Sequence, residues 1–170
     1  MPEITARQIR RLSRADAEAF RAIRLEGLER HPAAFGASFK EESSRPLSFF
    51  ADTLDGHFLL GAEDRGRLIG VAGFQFHDGE KKRHRGTLWG MYVQDEAHGK
   101  GVARRLVDGI LAHARQRVEE VGLSVWADNP AAIALYKSAG FTAFAPDARA
   151  IKIDGAYYDH LLMLVRFDAQ

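Results

Sequence analysis

At Val93 the apolar residues change their spacing, and the change divides the fold into two kinds of structure. Before it, Phe58-Leu59-Leu60, Leu68-Ile69-Gly70-Val71-Ala72-Gly73-Phe74 and residues 87–93 are short apolar runs separated by Asp64-Arg65-Gly66 and His77-Asp78-Gly79. That pattern predicts a meander of antiparallel strands. After it, Ala103, Leu106, Val107, Ile110, Leu111, Ala114 and Val118 recur at three and four residues, which predicts a long amphipathic helix lying against a sheet and ended by Gly122. Leu123-Ser124-Val125-Trp126 then reads as a strand. Asn129-Pro130 reads as a cap with proline at the first helical position, and Gly140 closes a helix over residues 131–139. Two final strands are expected at residues 141–144 and 157–167. Upstream, residues 4–12 read as a first strand, Ser13-Arg14-Ala15-Asp16 opens a helix that stops near His31-Pro32, residues 33–48 are irregular, and residues 47–54 form a short helix. The sum is an α/β chain with a mixed sheet and helices on both faces.

Composition narrows the function classes. The 170 residues suit one domain, and a 46% hydrophobic, 28% charged composition supplies a sizeable core. With 24 basic and 23 acidic residues there is no global field to attract nucleic acid or an anionic membrane. The basic run Lys81-Lys82-Arg83-His84-Arg85 sits beside Asp78 and Glu80 and reads as a solvated turn. No apolar run is long enough for a membrane span, and the first residues lack the apolar core of a signal peptide, so a cytoplasmic protein is expected. Zero cysteines exclude a thiol nucleophile and thiolate metal sites, and the seven histidines show no paired metal-ligand spacing, so no metal is expected.

The chemistry concentrates in two segments. In Val93-Gln94-Asp95-Glu96-Ala97-His98-Gly99-Lys100-Gly101-Val102-Ala103, glycines join the end of a strand to the start of a helix. A helix N-terminus carries unpaired amides and about half a positive charge, which suits a phosphate. It is not a P-loop, since Gln94 and Gly101 stand where glycine and a hydroxyl are required. A dinucleotide fingerprint also fails, because Arg104 occupies its third glycine. In the second segment, residues 126–141, Asn129 and Tyr136 are seven apart and share a helix face.

Together, His98-Gly99-Lys100-Gly101-Val102-Ala103 and the series Asn129, Ala132, Tyr136, Gly140, Phe141 resemble the hallmarks of the GCN5-related N-acetyltransferase (GNAT) family. His98 stands where that family has Gln or Arg, a departure that binding through backbone amides tolerates. The resemblance implies a central, largely antiparallel twisted sheet with a splayed parallel pair, and acetyl-CoA as cosubstrate. It implies that residues 98–103 hold the pyrophosphate, that Met91, Tyr92 and Val93 pair with the pantetheine arm, and that Asn129 bonds the arm from the other side. Tyr136 matches the acid that protonates the leaving thiolate, and a backbone donor near Val93 would stabilise the oxyanion by about 3 kcal/mol.

The base is not specified. Relatives often carry a carboxylate on the strand before the turn, but Thr87-Leu88-Trp89-Gly90-Met91-Tyr92-Val93 has none. His84, Glu41 or Glu42, or water leading to bulk, are the candidates. Tyr157-Tyr158-Asp159-His160 is placed at the edge of the acceptor pocket. The expected acceptor is a primary amine of a small molecule or a protein N-terminus, in preference to a basic tail, because no long acidic groove is written in the sequence. A homodimer is left open, and a non-catalytic acyl-CoA sensor is the alternative.

Overall fold

The computed structural model describes residues 8–167. Seven strands form one sheet in the order β1-β2-β3-β4-β5-β7-β6. These are β1 (Gln8–Arg11), β2 (Phe58–Asp64), β3 (Arg67–Phe76), β4 (Arg85–Val93), β5 (Glu120–Trp126), β6 (Thr142–Ile153) and β7 (Ala156–Arg166). Every neighbouring pair is antiparallel except β4 and β5. The helices are α1 (Ala17–Arg30), α2 (Phe39–Ser43), α3 (Leu47–Gly56), α4 (Val102–Ala114) and α5 (Pro130–Ser138). None of them, among the described residues, is long and apolar enough to cross a membrane.

The sheet separates two cores. On one face α4 and α5 bury Leu106, Val107 and Ile110 against Ala72, Phe74, Val121 and Met163. On the other, α1 and α3 bury Phe20, Ile23, Phe50 and Leu54 against Leu59, Val71 and Tyr92. The expected mixed sheet with helices on both faces is thus the observed architecture. The period-2 alternation of β5 shows the division directly: Val121, Leu123 and Val125 are buried on the α4 side, while Gly122, Ser124 and Trp126 face the other way.

Several boundaries differ from the sequence expectation. Helix α4 ends at Ala114, and Val118 is buried in the turn beyond it, where its N–H still bonds the Ala114 carbonyl. Gly122 does not terminate the helix; it lies inside β5, paired with Thr87 on one side and Leu164 on the other. Apolar spacing alone could not tell a buried post-helical turn from one more helical turn. Strand β6 runs to Ile153, well past residue 144, because long-range pairing with β7 carries it through a mostly exposed sequence with no strand alternation. It is an edge strand, and Pro146 together with a register shift between Asp147 and Ile151 limits further pairing there. Within the irregular region, α2 is short and capped by Ser38, whose hydroxyl accepts from Glu41 N–H. Of the expected first strand, residues 4–7 lie outside the described residues, and Gln8–Arg11 forms β1.

Strand β1 is tied to the start of α1 by one side chain. Arg10 donates to both Asp16 carboxylate oxygens at 3.0 and 2.7 Å and to Glu63 at 3.0 and 2.6 Å. The Arg10 hydrogen bonds, with a further one from Ser13 N–H, hold the Asp16 pKa at about 2, against 3.8 for a free carboxyl. A depressed carboxyl pKa contributes stability that is complete above the unfolded value and is lost as pH falls through the folded one. We predict that Asp16→Asn lowers stability by about 1–3 kcal/mol near neutrality in urea unfolding. The difference from wild type should shrink between pH 3.8 and about 2. A difference that does not depend on pH would remove the carboxylate from the explanation.

Candidate active site

Strands β4 and β5 start as a hydrogen-bonded pair and then separate. Arg85, Gly86 and Thr87 are in register with Glu120, Val121 and Gly122, and no pairing follows. A bulge lies just beyond the last pair. Between Val71 and Gly73 of β3 the partner strand advances from Tyr92 to Trp89, so β4 carries one extra residue, and Gly90 there has φ +63°. Bulges bend a strand and increase its twist, and here the bend carries β4 away from β5. The left-handed conformation explains why the residue is glycine.

A cleft of about 440 Å³ occupies the gap. Its walls are β4 from Leu88 to Val93, β5 from Leu123 to Trp126, the glycine turn, the first turns of α5 and Tyr136. The segment around His31, Ala34 and Phe35, which follows α1, closes one side. Met91, Tyr92, Val93, His98, Gly99, Gly101, Val102, Ala103, Asn129 and Tyr136 are therefore all brought to one cavity. Lys100 does not line it, because its ammonium turns back to donate to the Glu96 carbonyl at 2.9 Å. Arg104 does line it, although the sequence reading did not select it. Its guanidinium donates to Asp108 Oδ1 at 2.8 Å and to Ser138 Oγ at 3.3 Å, so its first-turn position by itself carried no ligand signal.

At the mouth, Gly99 and Gly101 have φ +72° and +73°, and a side chain on either would meet nothing within 4 Å. The amides that follow open onto the start of α4, whose N-cap is Gly101 itself. Gln94 N–H bonds Ile69 of β3, so by alternation the backbone groups of Val93 point to the open side of β4. Nε2 of His98 lies 2.8 Å from the Val93 carbonyl, and since a carbonyl only accepts, that ring nitrogen carries a proton.

The end of β4 is anchored to α1. Glu26 accepts from the Tyr92 hydroxyl at 2.8 Å and from the Gln94 amide at 2.9 Å. Burial, reinforced by that bond to Glu26, pushes the Tyr92 phenol well above its usual range. Tyr92 is therefore a fixed neutral donor. Across the cleft, Asn129 Oδ1 caps α5 by accepting from Ala132 N–H at 3.1 Å, which leaves its NH₂ group free to donate. Tyr136 is 6% exposed and packs edge-on against Phe141 at 5.8 Å. Burial raises its pKa, so it stays protonated through the neutral range.

The residues considered as bases are not brought here. His84 precedes β4, at the end where β4 and β5 are still paired, about 30 Å of strand away from the turn. Its backbone carbonyl accepts from Glu119 and Glu120 N–H, which fixes it in that corner. Glu42 is held by Arg24 through two bonds of 3.0 and 2.8 Å in a separate cavity of about 280 Å³ whose wall includes Trp89. Glu41 belongs to the Ser38 cap. Of residues 157–160, Tyr157 is exposed on the β6–β7 hairpin, Tyr158 packs edge-on against Trp126, and His160 is buried behind β5. Among the described residues no group of three or more His, Asp or Glu is arranged to hold a metal ion.

The sequence model described as "Acetyltransferase (GNAT) family" matches residues 19–141. The chain belongs to that family. It is 32% identical to the N-alpha-acetyltransferase RimI of Mycobacterium tuberculosis over 71% of this chain and 68% of the relative. It is 31% identical to a mycothiol acetyltransferase of Saccharomonospora viridis over 79% of its own length, and spans only 45% of that protein. Among solved structures, yncA of Salmonella typhimurium with its cofactor acetyl-CoA superposes with a TM-score of 0.79, at 25% identity over 96% of this chain and 95% of the other.

The bulge that opens this GNAT cleft depends on one backbone conformation. Since a side chain at Gly90 would approach only the Arg24 guanidinium, at 3.6 Å, substitution meets conformational strain and little steric conflict. Gly90→Ala is expected to cost about 1–2 kcal/mol in urea unfolding, the penalty of a left-handed alanine. An unchanged midpoint would mean that the bulge does not need the left-handed geometry.

Proposed function

We propose that the protein transfers the acetyl group of acetyl-CoA to a primary amine, of a small molecule or of a protein N-terminus. The observation that carries this reading is the three-pair limit of the β4–β5 ladder, which leaves an open strand edge between an anion-binding turn and a buried phenol. An extended ligand bearing amides can add to such an edge as another strand would. The pyrophosphate would lie on the amides of residues 98–103 with Arg104 beside it, and the pantetheine arm along Met91, Tyr92 and Val93 with the Asn129 amide opposite. The thioester then falls between β4 and Tyr136.

Bound acetyl-CoA supplies an activated acyl carbon and a thiolate leaving group. The chain supplies the rest. A backbone N–H on the open side of β4 is placed to hold the oxyanion, and the Tyr136 phenol gives its proton to the thiolate. Burial keeps the Tyr136 phenol protonated until the thiolate leaves, and the attacking nitrogen then restores its proton. A module that merely sensed acyl-CoA would have no use for a phenol at that position.

The acceptor enters from the side of His31, Phe35 and Trp126. Similar chains carry the names N-alpha-acetyltransferase RimI and mycothiol acetyltransferase, which supports keeping both a protein N-terminus and a small molecule as acceptor classes. The cleft presents aromatic rings and no run of carboxylates, which favours a small or N-terminal amine over a lysine-rich tail.

Two variants test the assignments. Coenzyme A should raise the melting temperature of the wild type in a dose-dependent way. Gly101→Asp has space for its side chain but carries negative charge into the anion site at φ +73°, so it should fold with a modest loss of stability and show no such shift. An undiminished shift would take the turn out of the binding site. Tyr136→Phe should bind coenzyme A normally yet lose at least roughly tenfold in acceptor-dependent thiol release at neutral pH, the lower range of general acid catalysis. A folded variant within about twofold of wild type would assign the proton donor elsewhere.

A further inference from the structure

His160 is the one polar side chain among the buried core residues described, at 5% exposure, and nothing in the transfer chemistry above uses it. Its two ring nitrogens are both engaged. Nε2 lies 2.8 Å from the Ala33 carbonyl, which can only accept, so Nε2 carries the proton. Nδ1 therefore presents its lone pair, and Ser124 Oγ lies 2.8 Å from it. The serine hydroxyl donates to the ring. Ser124 in turn is exposed, although it sits in the middle of a central strand, because the β4–β5 gap uncovers it and it lines the cleft.

We propose that Ser124 and His160 form a proton relay that deprotonates the acceptor ammonium; this rests on the acetyltransferase reading. Three observations converge on it. Strand β4 carries no carboxylate over residues 87–93, and His84 and Glu42 are held elsewhere. Ser124 shares its sheet face with Trp126 and His160, the face by which the acceptor enters, whereas Tyr136 lies with α5 on the opposite face. The carbonyl bond from Ala33 fixes the tautomer that leaves a basic nitrogen toward the cleft.

The charged groups around the ring are compatible with a transient imidazolium. Asp147 of β6 is its cross-strand partner, and Asp159, the preceding residue of β7, accepts from Arg149 N–H at 2.8 Å. The turn that contributes Ala33 carries no charged side chain over Pro32–Ala34, and His31 precedes it. On β5 the neighbours on that face are Gly122 and Trp126, both uncharged.

The ammonium gives one proton to Ser124 Oγ as the serine proton passes to His160 Nδ1. The neutral amine forms the C–N bond, and the carbonyl π electrons move to oxygen. As the oxyanion collapses, the C–S bond breaks and the thiolate takes the Tyr136 proton. The second proton leaves the nitrogen to restore Tyr136, and the first returns from His160 through Ser124 to solvent. Ser124 is the residue that touches substrate, and His160 acts through it.

The test uses the wild type, Ser124→Ala and His160→Gln, with acetyl-CoA and whichever primary amine of a broad panel the wild type acetylates. An alkylamine with pKa about 10.4 is neutral in only about one molecule in a few thousand at pH 7, so a base matters there and becomes redundant near the amine's own pKa. Ser124→Ala should keep the melting shift caused by acetyl-CoA and lose roughly tenfold or more in kcat/KM at pH 7, the loss closing as pH approaches the amine pKa. His160→Gln keeps a donor for the Ala33 carbonyl and should show the same profile; Ser124→Ala decides the matter if it does not fold. A loss by the same factor at every pH, or no loss at pH 7, overturns the relay while leaving acetyl transfer standing. Wild type without acceptor-dependent thiol release for any amine overturns acetyl transfer and the relay together.

Discussion

The parting of β4 and β5 after Thr87 and Gly122 governs the rest of the structure. A sheet interior normally pairs its backbone polar groups, and an unpaired one away from water is costly. Here β4 continues for six residues, Leu88 to Val93, with one edge on β3 and the other open. Apart from the Val93 carbonyl, which the His98 ring bonds, the open groups face the cleft and are available to any extended ligand with amides of its own. Closing the gap would satisfy the backbone and abolish the site. The bulge at Gly90 maintains the gap, since one extra residue turns β4 away from β5 beyond their last pair.

An open strand needs support from its other contacts. Tyr92 and Gln94, two residues apart, both bond the Glu26 carboxylate of α1. The helix can come close enough because Gly27 lies against the Tyr92 ring: a side chain at Gly27 would stand 2.9 Å from Cγ of that ring. Arg30 extends the tie to Asp95 at 3.1 Å, just where the chain enters the glycine turn. The His98 ring closes the arrangement by bonding the last carbonyl of β4. The unpaired edge is therefore a rigid one, held from the α1 side and from the turn.

Most of the architecture was readable from local pattern. The strand meander, the amphipathic α4, the proline-started α5 and the turn between β4 and α4 all follow from apolar period, capping residues and glycine positions. What was not readable depends on tertiary placement. His84 and Glu42 carry suitable chemistry, but which end of a strand faces the cleft, and which carboxylate an arginine has already taken, are set by packing. Gly122 looked like a helix stop because its pairing partners, Thr87 and Leu164, are distant in sequence. The length of β6 was hidden for the same reason. Ser124 left one trace, a small polar residue between Leu123 and Val125, and the histidine behind it lies 36 residues later on another strand.

The sheet also separates the two protonic tasks in space. Acyl transfer removes protons from the nitrogen and adds one to the sulfur, and these atoms lie on opposite sides of the reacting carbon. The first proton must leave the nitrogen before attack, while Tyr136 still has to be protonated to meet the thiolate, so the group that takes that first proton cannot be the phenol. In this fold the phenol of Tyr136 approaches from the α5 face, where burial keeps it protonated, while the Ser124 hydroxyl approaches from the α1 face, backed by an imidazole whose tautomer is fixed by a carbonyl. A closed, fully paired sheet could not present both groups to one atom cluster, because its two faces are insulated from each other by the backbone. The splay is what joins them. The same missing hydrogen bonds that admit the cosubstrate arm open a passage between the faces, so cofactor binding and the division of acid from base arise from one departure from regular pairing.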